Sequence, residues 1–118
     1  MENFSDKDMD RIIECVPNFS EGRNMQVIEA IVTAIEKGGR KASRNGVKVL
    51  NVDPGEAANR TVITFTGSPE AVVEAAFQAV KTAGELIDMR KQHGTHPRSG
   101  ATDVLPLIPI SGITLQEC

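Results

Sequence analysis

The residues best suited to do chemistry lie in a segment that reads His93-Gly94-Thr95-His96-Pro97-Arg98-Ser99-Gly100. An imidazole has an unperturbed pKa of about 6.5, so it is the natural side chain for moving a proton near neutral pH. Pro97 biases His96 toward an extended backbone and away from a helix. The sequence therefore predicts that His96 is a proton-transfer residue. The alternative is an ordinary solvent-exposed histidine in a loop.

Two further segments, 17–23 and 53–60, are rich in polar and charged side chains. They contribute the candidate residues Asn18, Glu21, Arg23, Asp53, Glu56, Asn59 and Arg60. Arg98, in the histidine segment, is a further candidate. Carboxylates, guanidiniums and amides that meet on one rim could bind a small anionic ligand. Asn and Asp also commonly serve turns, and many loops are mere connections, so the alternative for each residue is a structural one.

A metal site is disfavoured by the spacing of the two histidines. His93 and His96 are three residues apart, but Gly94 and Pro97 break the helix that would align them. No third ligand follows at a recognisable spacing. We therefore expect no metal. Cys15 lies in an apolar run and is expected in the core rather than at a reactive site.

Composition limits the function classes further. The chain has 118 residues, enough for one domain, and 13 Lys+Arg against 16 Asp+Glu give a formal net charge of -3. Nucleic acid is therefore not an expected partner. No window approaches the ~18 apolar residues of a membrane span, and the two cysteines form no disulfide framework. We expect a reduced, cytoplasmic protein that does not bind membranes.

The elements that must position these loops follow from the hydrophobic pattern. The predicted elements are a strand at 12–16, a helix from Asn24 to Gly38-Gly39, strands at 47–52 and 61–66, a helix from Pro69 to about Met89 and a strand at 103–110. This order predicts an α+β fold of the ferredoxin-like βαββαβ type, a four-stranded antiparallel sheet with two helices on one face. The three polar loops then lie at the same end of the sheet.

Both helices have clear start signals. Asn24 is a plausible N-cap of the first helix, and Ser68-Pro69-Glu70 combines a cap, a proline at the first helical position and an early acid. Asp53-Pro54-Gly55 is expected to end the second strand. The predicted apolar face of the second helix consists of Val72, Val73, Ala76, Phe77, Val80, Ala83, Leu86 and Ile87.

Four motifs in order resemble a known family. They are Glu14-Cys15-Val16-Pro17-Asn18-Phe19-Ser20-Glu21-Gly22-Arg23, Asn59-Arg60-Thr61-Val62, Leu86-Ile87-Asp88-Met89, and His96-Pro97-Arg98 followed by Gly100-Ala101-Thr102-Asp103-Val104. They resemble the N-terminal subdomain of glutamate formiminotransferase, a folate-dependent enzyme of histidine degradation that is fused in animals to formiminotetrahydrofolate cyclodeaminase. The resemblance covers residues 12–118, which leaves 1–11 as a charged N-terminal extension.

The resemblance implies a reaction and roles for particular residues. The family transfers a formimino group from formiminoglutamate to tetrahydrofolate, and His96 matches its catalytic proton donor. Asn18, Asp53 and Arg60 match positions of the substrate pocket. Asn59 and Arg98 complete the predicted set of substrate-binding or folate-binding residues. Thr95 and Ser99, by contrast, differ from the residues usual beside the His-Pro-Arg motif.

The resemblance also implies a partner. In the family a second subdomain of similar fold completes the catalytic domain, and folate binds between the two. We therefore expect this chain to supply the N-terminal half of a formiminotransferase site and to be inactive alone. The alternative is a non-catalytic binding or assembly module of the same fold, in which sheet edges serve self-association and form a homodimer.

Overall fold

The computed structural model describes residues 11–87 and 101–117 and shows an α+β domain. Within these residues, six strands and two helices follow one another as β1 Ile12–Cys15, β2 Asn18–Phe19, α1 Met25–Ala42, β3 Val47–Gly55, β4 Arg60–Gly67, α2 Pro69–Leu86, β5 Thr102–Val104 and β6 Leu107–Ser111. All strand pairs are antiparallel. The predicted α+β class is confirmed.

The predicted number of four strands is wrong for two reasons. The predicted loop that follows Pro17 contains a further short strand, β2, and the last predicted strand breaks at Leu105-Pro106 into β5 and β6. A proline has no backbone N–H for the ladder, so the regular pairing stops there. The broken ends still contact each other, since the Val16 N–H donates to the Pro106 carbonyl at 3.2 Å.

The sheet is organised around β4. Its strand order is β5-β2-β4-β1-β6, and β3 also pairs with β4. The β3–β4 ladder runs from Val47↔Gly67 to Gly55↔Arg60, so β3 continues through the residues that were expected to end it. The predicted stop at Asp53-Pro54-Gly55 is therefore wrong. The turn consists of residues 56–59, and this places Arg60 at the start of β4.

Helix α1 begins where the sequence predicts but ends later. Asn24 Oδ1 accepts hydrogen bonds from the N–H groups of Gln26 and Val27, at 3.0 and 3.3 Å. The predicted stop at Gly38-Gly39 is wrong, since the helix continues to Ala42. Both glycines are buried at close approaches. A Cβ on Gly38 would meet the Cα of Ala75 in α2 at 3.0 Å, and one on Gly39 would meet the Val47 nitrogen at 2.8 Å. They allow contact rather than terminate the helix.

The core lies between the helices and one face of the sheet. Its strand residues are Ile13, Cys15, Phe19, Ile63 and Phe65, and Cys15 is buried as expected. The predicted apolar face of α2 is only partly correct. Mainly alanines cover its buried side, whereas Val73, Phe77, Val80 and Leu86 are exposed. The N-terminus of α2 is confirmed, since Ser68 Oγ accepts from the Ala71 N–H at 3.3 Å.

Candidate functional site

Three chain segments meet at one end of the sheet, at residues 20–24, 56–59 and 101–103. The Ser20 N–H donates to the Ala101 carbonyl at 2.9 Å, which ties the first segment to the third. Arg23 Nε donates to the Glu56 carbonyl at 3.0 Å, which ties the first to the second. The loops 17–23 and 53–60 are therefore close together, and the described chain resumes beside them at Ala101.

One group of these residues holds the loops to each other. We call Glu21, Gly22, Asn59 and Thr61 the junction. The Gly22 N–H donates to Asn59 Oδ1 at 2.8 Å, and Thr61 Oγ1 donates to the Glu21 carbonyl. A Cβ on Gly22 would lie 2.6 Å from the Arg60 nitrogen, so only glycine allows this approach. Asn59 has a φ of 53°, a left-handed conformation that Asn tolerates well.

The Glu21 side chain has a second structural task at the junction. Its Oε2 accepts hydrogen bonds from the N–H groups of Arg23 and Asn24, at 3.1 and 2.9 Å. The residue is only 7% exposed, so these partners compensate the burial of its carboxylate. Asn59 is 2% exposed and its oxygen is engaged by Gly22. Glu21 and Asn59 therefore stabilise the loop conformation by accepting hydrogen bonds from backbone N–H groups.

A second group forms the candidate site itself. We call Asn18, Arg60 and Asp103 the Arg60 cluster. Arg60 Nη2 donates to Asn18 Oδ1 at 2.9 Å and lies 3.0 Å from Asp103 Oδ2. The side chains of Arg60 and Asp103 are 18% and 12% exposed. Because the carboxylate neutralises the guanidinium, the cluster is a polar, charge-balanced group rather than an open cationic site.

Within residues 11–87 and 101–117, two buried atoms of this region have no hydrogen-bond partner. Among the residues the structure describes, Arg60 Nε and Thr102 Oγ1 are the buried side-chain nitrogen and oxygen atoms with no hydrogen bond. A buried polar atom left unpaired costs about 1–3 kcal/mol. Such atoms are rare in folded proteins, and each calls for an explanation such as a ligand or an ordered water. Within the part of the chain that the structure describes, Arg60 Nε is thus free to donate a hydrogen bond to a further polar group.

The cluster lies on the face of the sheet opposite the helices. Side chains alternate along a strand, and in β4 the residues 61, 63 and 65 are buried. Arg60 and Val62 thus belong to the other face, which we call the open face. Asn18 pairs with Val62, and Val62 pairs with Asp53 on the far side. At about 4.8 Å between strands, Asp53 lies about 10 Å from Asn18 along this row.

Three of the candidates from the sequence lie outside the described residues. They are His93, His96 and Arg98. The chain is described again from Ala101, which hydrogen-bonds to Ser20 at the same end of the sheet as the Arg60 cluster. Of the other predicted binding residues, Asn18 and Arg60 touch each other, Asp53 shares their row, and Asn59 belongs to the junction.

Sequence reasoning missed Asp103 and Thr102. Both belong to the fourth family motif and to the start of a predicted strand, but neither was assigned to the site. Their part in the site depends on the pairing of β5 with β2, which includes a register shift between Asn18 and Phe19. A carboxylate inside a run of apolar strand residues was the available signal, but nothing in the sequence indicated which cation it would meet.

Two negative findings apply to residues 11–87 and 101–117. No three His, Cys, Asp or Glu side chains there are grouped so that they could hold a metal ion. Neither helix in this part of the chain has the length and apolar character needed to cross a membrane.

Comparison with known proteins gives a consistent family match. A family model described as the formiminotransferase domain, N-terminal subdomain, matches residues 12–118. The formimidoyltransferase-cyclodeaminase of Rattus norvegicus is 53% identical over 110 residues, which are 93% of this chain and 19% of that protein. The glutamate formimidoyltransferase of Streptococcus pyogenes serotype M1 is 49% identical over 93% of this chain and 35% of its own length. The glutamate formimidoyltransferase of Thermoplasma acidophilum is 43% identical over 107 residues, which are 91% of this chain and 33% of that protein. The chain thus spans between about a fifth and a third of these relatives.

Proposed function

Because the chain belongs to the formiminotransferase family, as an N-terminal subdomain, we propose that it forms one half of a site for folate-dependent formimino transfer. The resemblance read from the four sequence motifs is thereby confirmed. The donor in this proposal is formiminoglutamate, and the acceptor is tetrahydrofolate. Residues 12–118 form the subdomain, and the protein acts in the cytoplasm.

The chemistry requires proton transfer at a defined place. A folate nitrogen attacks the formimino carbon and forms a tetrahedral intermediate, and the bond from that carbon to the glutamate nitrogen then breaks. The attacking nitrogen loses a proton, and the departing nitrogen must gain one to leave as an amine. A positioned acid or base contributes about 10²–10⁴-fold to such a step. We assign this role to His96, whose imidazole suits neutral pH.

The Arg60 cluster is the observation that carries the proposal. It presents Asn18 and Arg60 on the open face, and Asp103 holds the guanidinium in place at 3.0 Å. The buried Nε of Arg60 has no hydrogen-bond partner among the described residues. A substrate carbonyl or carboxylate oxygen would satisfy it, since these groups accept hydrogen bonds. Arg98 and Asp53 complete the assigned binding set, and Asn59 supports it through the junction.

The proposal includes a second subdomain that covers the open face. This chain matches only 35% of the streptococcal glutamate formimidoyltransferase, so the relative has ample length for another wall of the cleft. We infer a ferredoxin-like arrangement for the present half, with both helices on one face. If β1 and β2 are counted as one strand, and β5 and β6 as another, the sheet has four strands. Their order across the sheet is fourth, first, third, second, and neighbours are antiparallel, which supports this inference. Without the other wall, the chain alone should be inactive.

The test fuses this chain to the part of a relative that the chain does not match. The remaining two thirds of the streptococcal relative would be fused to residue 118, and formimino transfer from formiminoglutamate to tetrahydrofolate would be measured. We expect turnover by the fusion and none by the 118-residue chain. Positioning of two substrates is worth up to about 7–11 kcal/mol, which explains the expected loss. Turnover by the chain alone would refute the half-site proposal, and a folded, folate-binding but inactive fusion would refute the assigned reaction.

The assignment of His96 has a matched control in His93. In the active fusion, His96→Ala should lower kcat by about 10²–10⁴-fold, whereas His93→Ala should change it little. Thermal unfolding of both variants separates a chemical from a folding defect. Equal losses for the two substitutions would contradict the assignment.

A non-catalytic assembly module is the second candidate function. The observation that favours it is the exposed apolar side of α2, where Phe77 is 61% exposed. Self-association without folate binding by the fusion would support this function. Folate binding and turnover would exclude it as the main role.

A further inference from the structure

Positive charge is concentrated at the C-terminal end of α1. Lys37, Arg40 and Lys41 lie on one side of the helix, and Arg44 follows two residues after the helix ends. All four side chains are exposed. We call these four residues the basic ridge. Within residues 11–87 and 101–117, none of the four takes part in an ion pair.

The positive charge of the basic ridge is only partly compensated. Cations near a helix C-terminus are favoured by the helix dipole, but Lys37 and Lys41 are four residues apart, and like charges at that spacing repel. On the facing helix, the carboxylate of Glu74 accepts a hydrogen bond from Gln78 Nε2 at 2.8 Å. The whole chain has a formal net charge of -3, so this cationic surface is a local feature. An anionic partner would fit it.

A groove of about 430 Å³ lies beside the ridge, between α1 and α2. Its lining combines the side chains of Lys37, Lys41 and Gln78 with three small residues of α1, Ala30, Ala34 and Gly38. Small residues give room for a backbone to approach, and the two ammonium groups attract carboxylates. The groove therefore suits an extended acidic segment rather than a bulky apolar one.

The segment 1–10, which lies outside the described residues, joins the chain close to this ridge. Ile13 in β1 pairs with Gly67, and Gly67 pairs in turn with Val47. Two strand spacings of about 4.8 Å place Ile13 about 10 Å from Val47. A Cβ on Gly39 of α1 would meet the Val47 nitrogen at 2.8 Å, so the end of α1 lies directly beside Val47. The segment therefore enters the structure at the same end of the sheet as the ridge.

The segment 1–10 also has the charge and the reach that the ridge requires. It contains one lysine, Lys7, and four carboxylates, at Glu2, Asp6, Asp8 and Asp10. An extended chain spans about 3.4 Å per residue, so Asp8 can lie up to about 17 Å from Ile13, and Asp6 up to about 24 Å. These lengths exceed the distance of about 10 Å between Ile13 and Val47.

We propose that residues 2–10 of this chain bind along the basic ridge and its groove, through ion pairs between their carboxylates and the four cations. Exposed ion pairs are individually weak, but the segment is tethered beside the ridge, so its effective concentration is high. The bound segment neutralises the ridge and covers the groove. The ridge lies near Gly67, at one end of β4, whereas the Arg60 cluster lies at the other end. The proposal is therefore independent of formimino transfer, and both tests use the 118-residue chain without folate.

The first test is zero-length cross-linking with a carbodiimide, which joins a carboxylate to a lysine amine in direct contact. Peptide mapping by mass spectrometry should show links from the acids of 2–10 to Lys37 and Lys41. Their yield should fall at least about fivefold in about 1 M salt, where the Debye length is about 3 Å. Lys81 is the control, because it is exposed on α2 and outside the basic ridge. It should form no link to the segment.

A mixture of ¹⁴N-labelled and ¹⁵N-labelled chains shows whether each link lies within one copy. We expect the linked peptides to carry a single label. Absence of links to Lys37 and Lys41, equal links to Lys81, or links mainly between differently labelled copies would each overturn the proposal.

The second test measures the rate of trypsin cleavage after Lys7. The combined Lys37→Glu and Lys41→Glu substitutions should accelerate this cleavage by about three- to tenfold, because attractive pairs become repulsive and the segment is released. Lys81→Glu is the matched control and should leave the rate unchanged. Circular dichroism checks the helices, and the neutral pair Lys37→Gln and Lys41→Gln should give a smaller acceleration in the same direction. An unchanged rate in the folded variants, or an equal acceleration by Lys81→Glu, overturns the proposal.

Discussion

The junction and the Arg60 cluster lie at the same end of the sheet, but their buried polar atoms differ in whether they have hydrogen-bond partners among the described residues. In the junction, Gly22 donates to Asn59 and Thr61 donates to Glu21. In the Arg60 cluster and the strand beside it, Arg60 Nε and Thr102 Oγ1 are buried without hydrogen-bond partners among the described residues. Polar residues in a loop therefore do not by themselves indicate a binding site.

The difference distinguishes residues that build the site from residues that can use it. A satisfied buried group contributes to stability, and its loss leaves a partner unpaired. An unsatisfied buried group lowers stability until something binds it, which is the property expected of a preorganised site. Substitutions in the junction should therefore change folding, whereas substitutions in the Arg60 cluster should change binding more than folding.

The largest expected effect is that of Gly22→Ala. An added Cβ would lie 2.6 Å from the Arg60 nitrogen and 2.7 Å from its carbonyl oxygen, so the backbone of the hairpin must move. We expect a loss of about 3–4 kcal/mol in the free energy of unfolding, measured by urea denaturation.

Gly84→Ala is the control for that experiment. Among the described residues, no atom lies within 4 Å of a Cβ built on Gly84 in α2, so alanine there should stabilise the chain by about 0.5–1 kcal/mol. Measurement at low protein concentration keeps association out of the comparison. A small cost for Gly22→Ala would mean that the junction is not tightly packed.

Asn59→Ala should have the next largest effect. It removes the acceptor of the Gly22 N–H and places alanine at a φ of 53°. We expect a loss of about 2–3 kcal/mol, the sum of an unpaired N–H and a strained backbone. Asn59→Gly keeps the conformation and loses only the acceptor, so it should cost about 1 kcal/mol less. Equal losses would show that backbone strain contributes nothing here.

Substitutions in the Arg60 cluster should separate stability from binding. In the folate-binding fusion, Asp103→Asn should change unfolding by less than about 1 kcal/mol, since the pair is partly exposed and the amide still accepts a hydrogen bond. Folate or formiminoglutamate affinity should fall by about tenfold, because the guanidinium is held less firmly. Arg60→Lys should lower affinity further, since an ammonium lacks the planar fork. Unchanged affinity in both variants would remove the cluster from the site.

Local signals were enough to predict one part of this structure. Asn24 and Ser68 act through hydrogen bonds within a few residues, and both helix starts were predicted correctly. The family motifs were also readable, as was the approach of the loops 17–23 and 53–60 to each other. The break at Pro106 was not, because the apolar pattern continues across that proline. Nor was the short strand after Pro17, because its polar surroundings indicate a loop. Register between distant strands brings Asp103 to Arg60, and no local pattern encodes it.

The exposed side of α2 was misjudged for a different reason. Hydrophobic spacing identifies residues that avoid water, but it does not tell whether the chain's own core or another surface covers them. Phe77 and Val80 fit a core face as well as an interface by spacing alone. Gly38 was misjudged because glycine both ends helices and allows close helix contact, and here it contacts α2.

The sharpest comparison between the two regions uses the same substitution in both. Thr61→Val removes the hydroxyl that donates to the Glu21 carbonyl and should cost about 1–2 kcal/mol of stability. Thr102→Val removes a buried oxygen that has no partner among the described residues, so it should be neutral or stabilise the chain by up to about 1 kcal/mol. In the fusion, the same Thr102→Val should weaken ligand binding if that oxygen lies in the site. Urea denaturation of the two variants measures the sign of the change in the free energy of unfolding. A destabilised Thr102→Val variant would show that the hydroxyl already has a hydrogen-bond partner, and that the two regions do not differ in this respect.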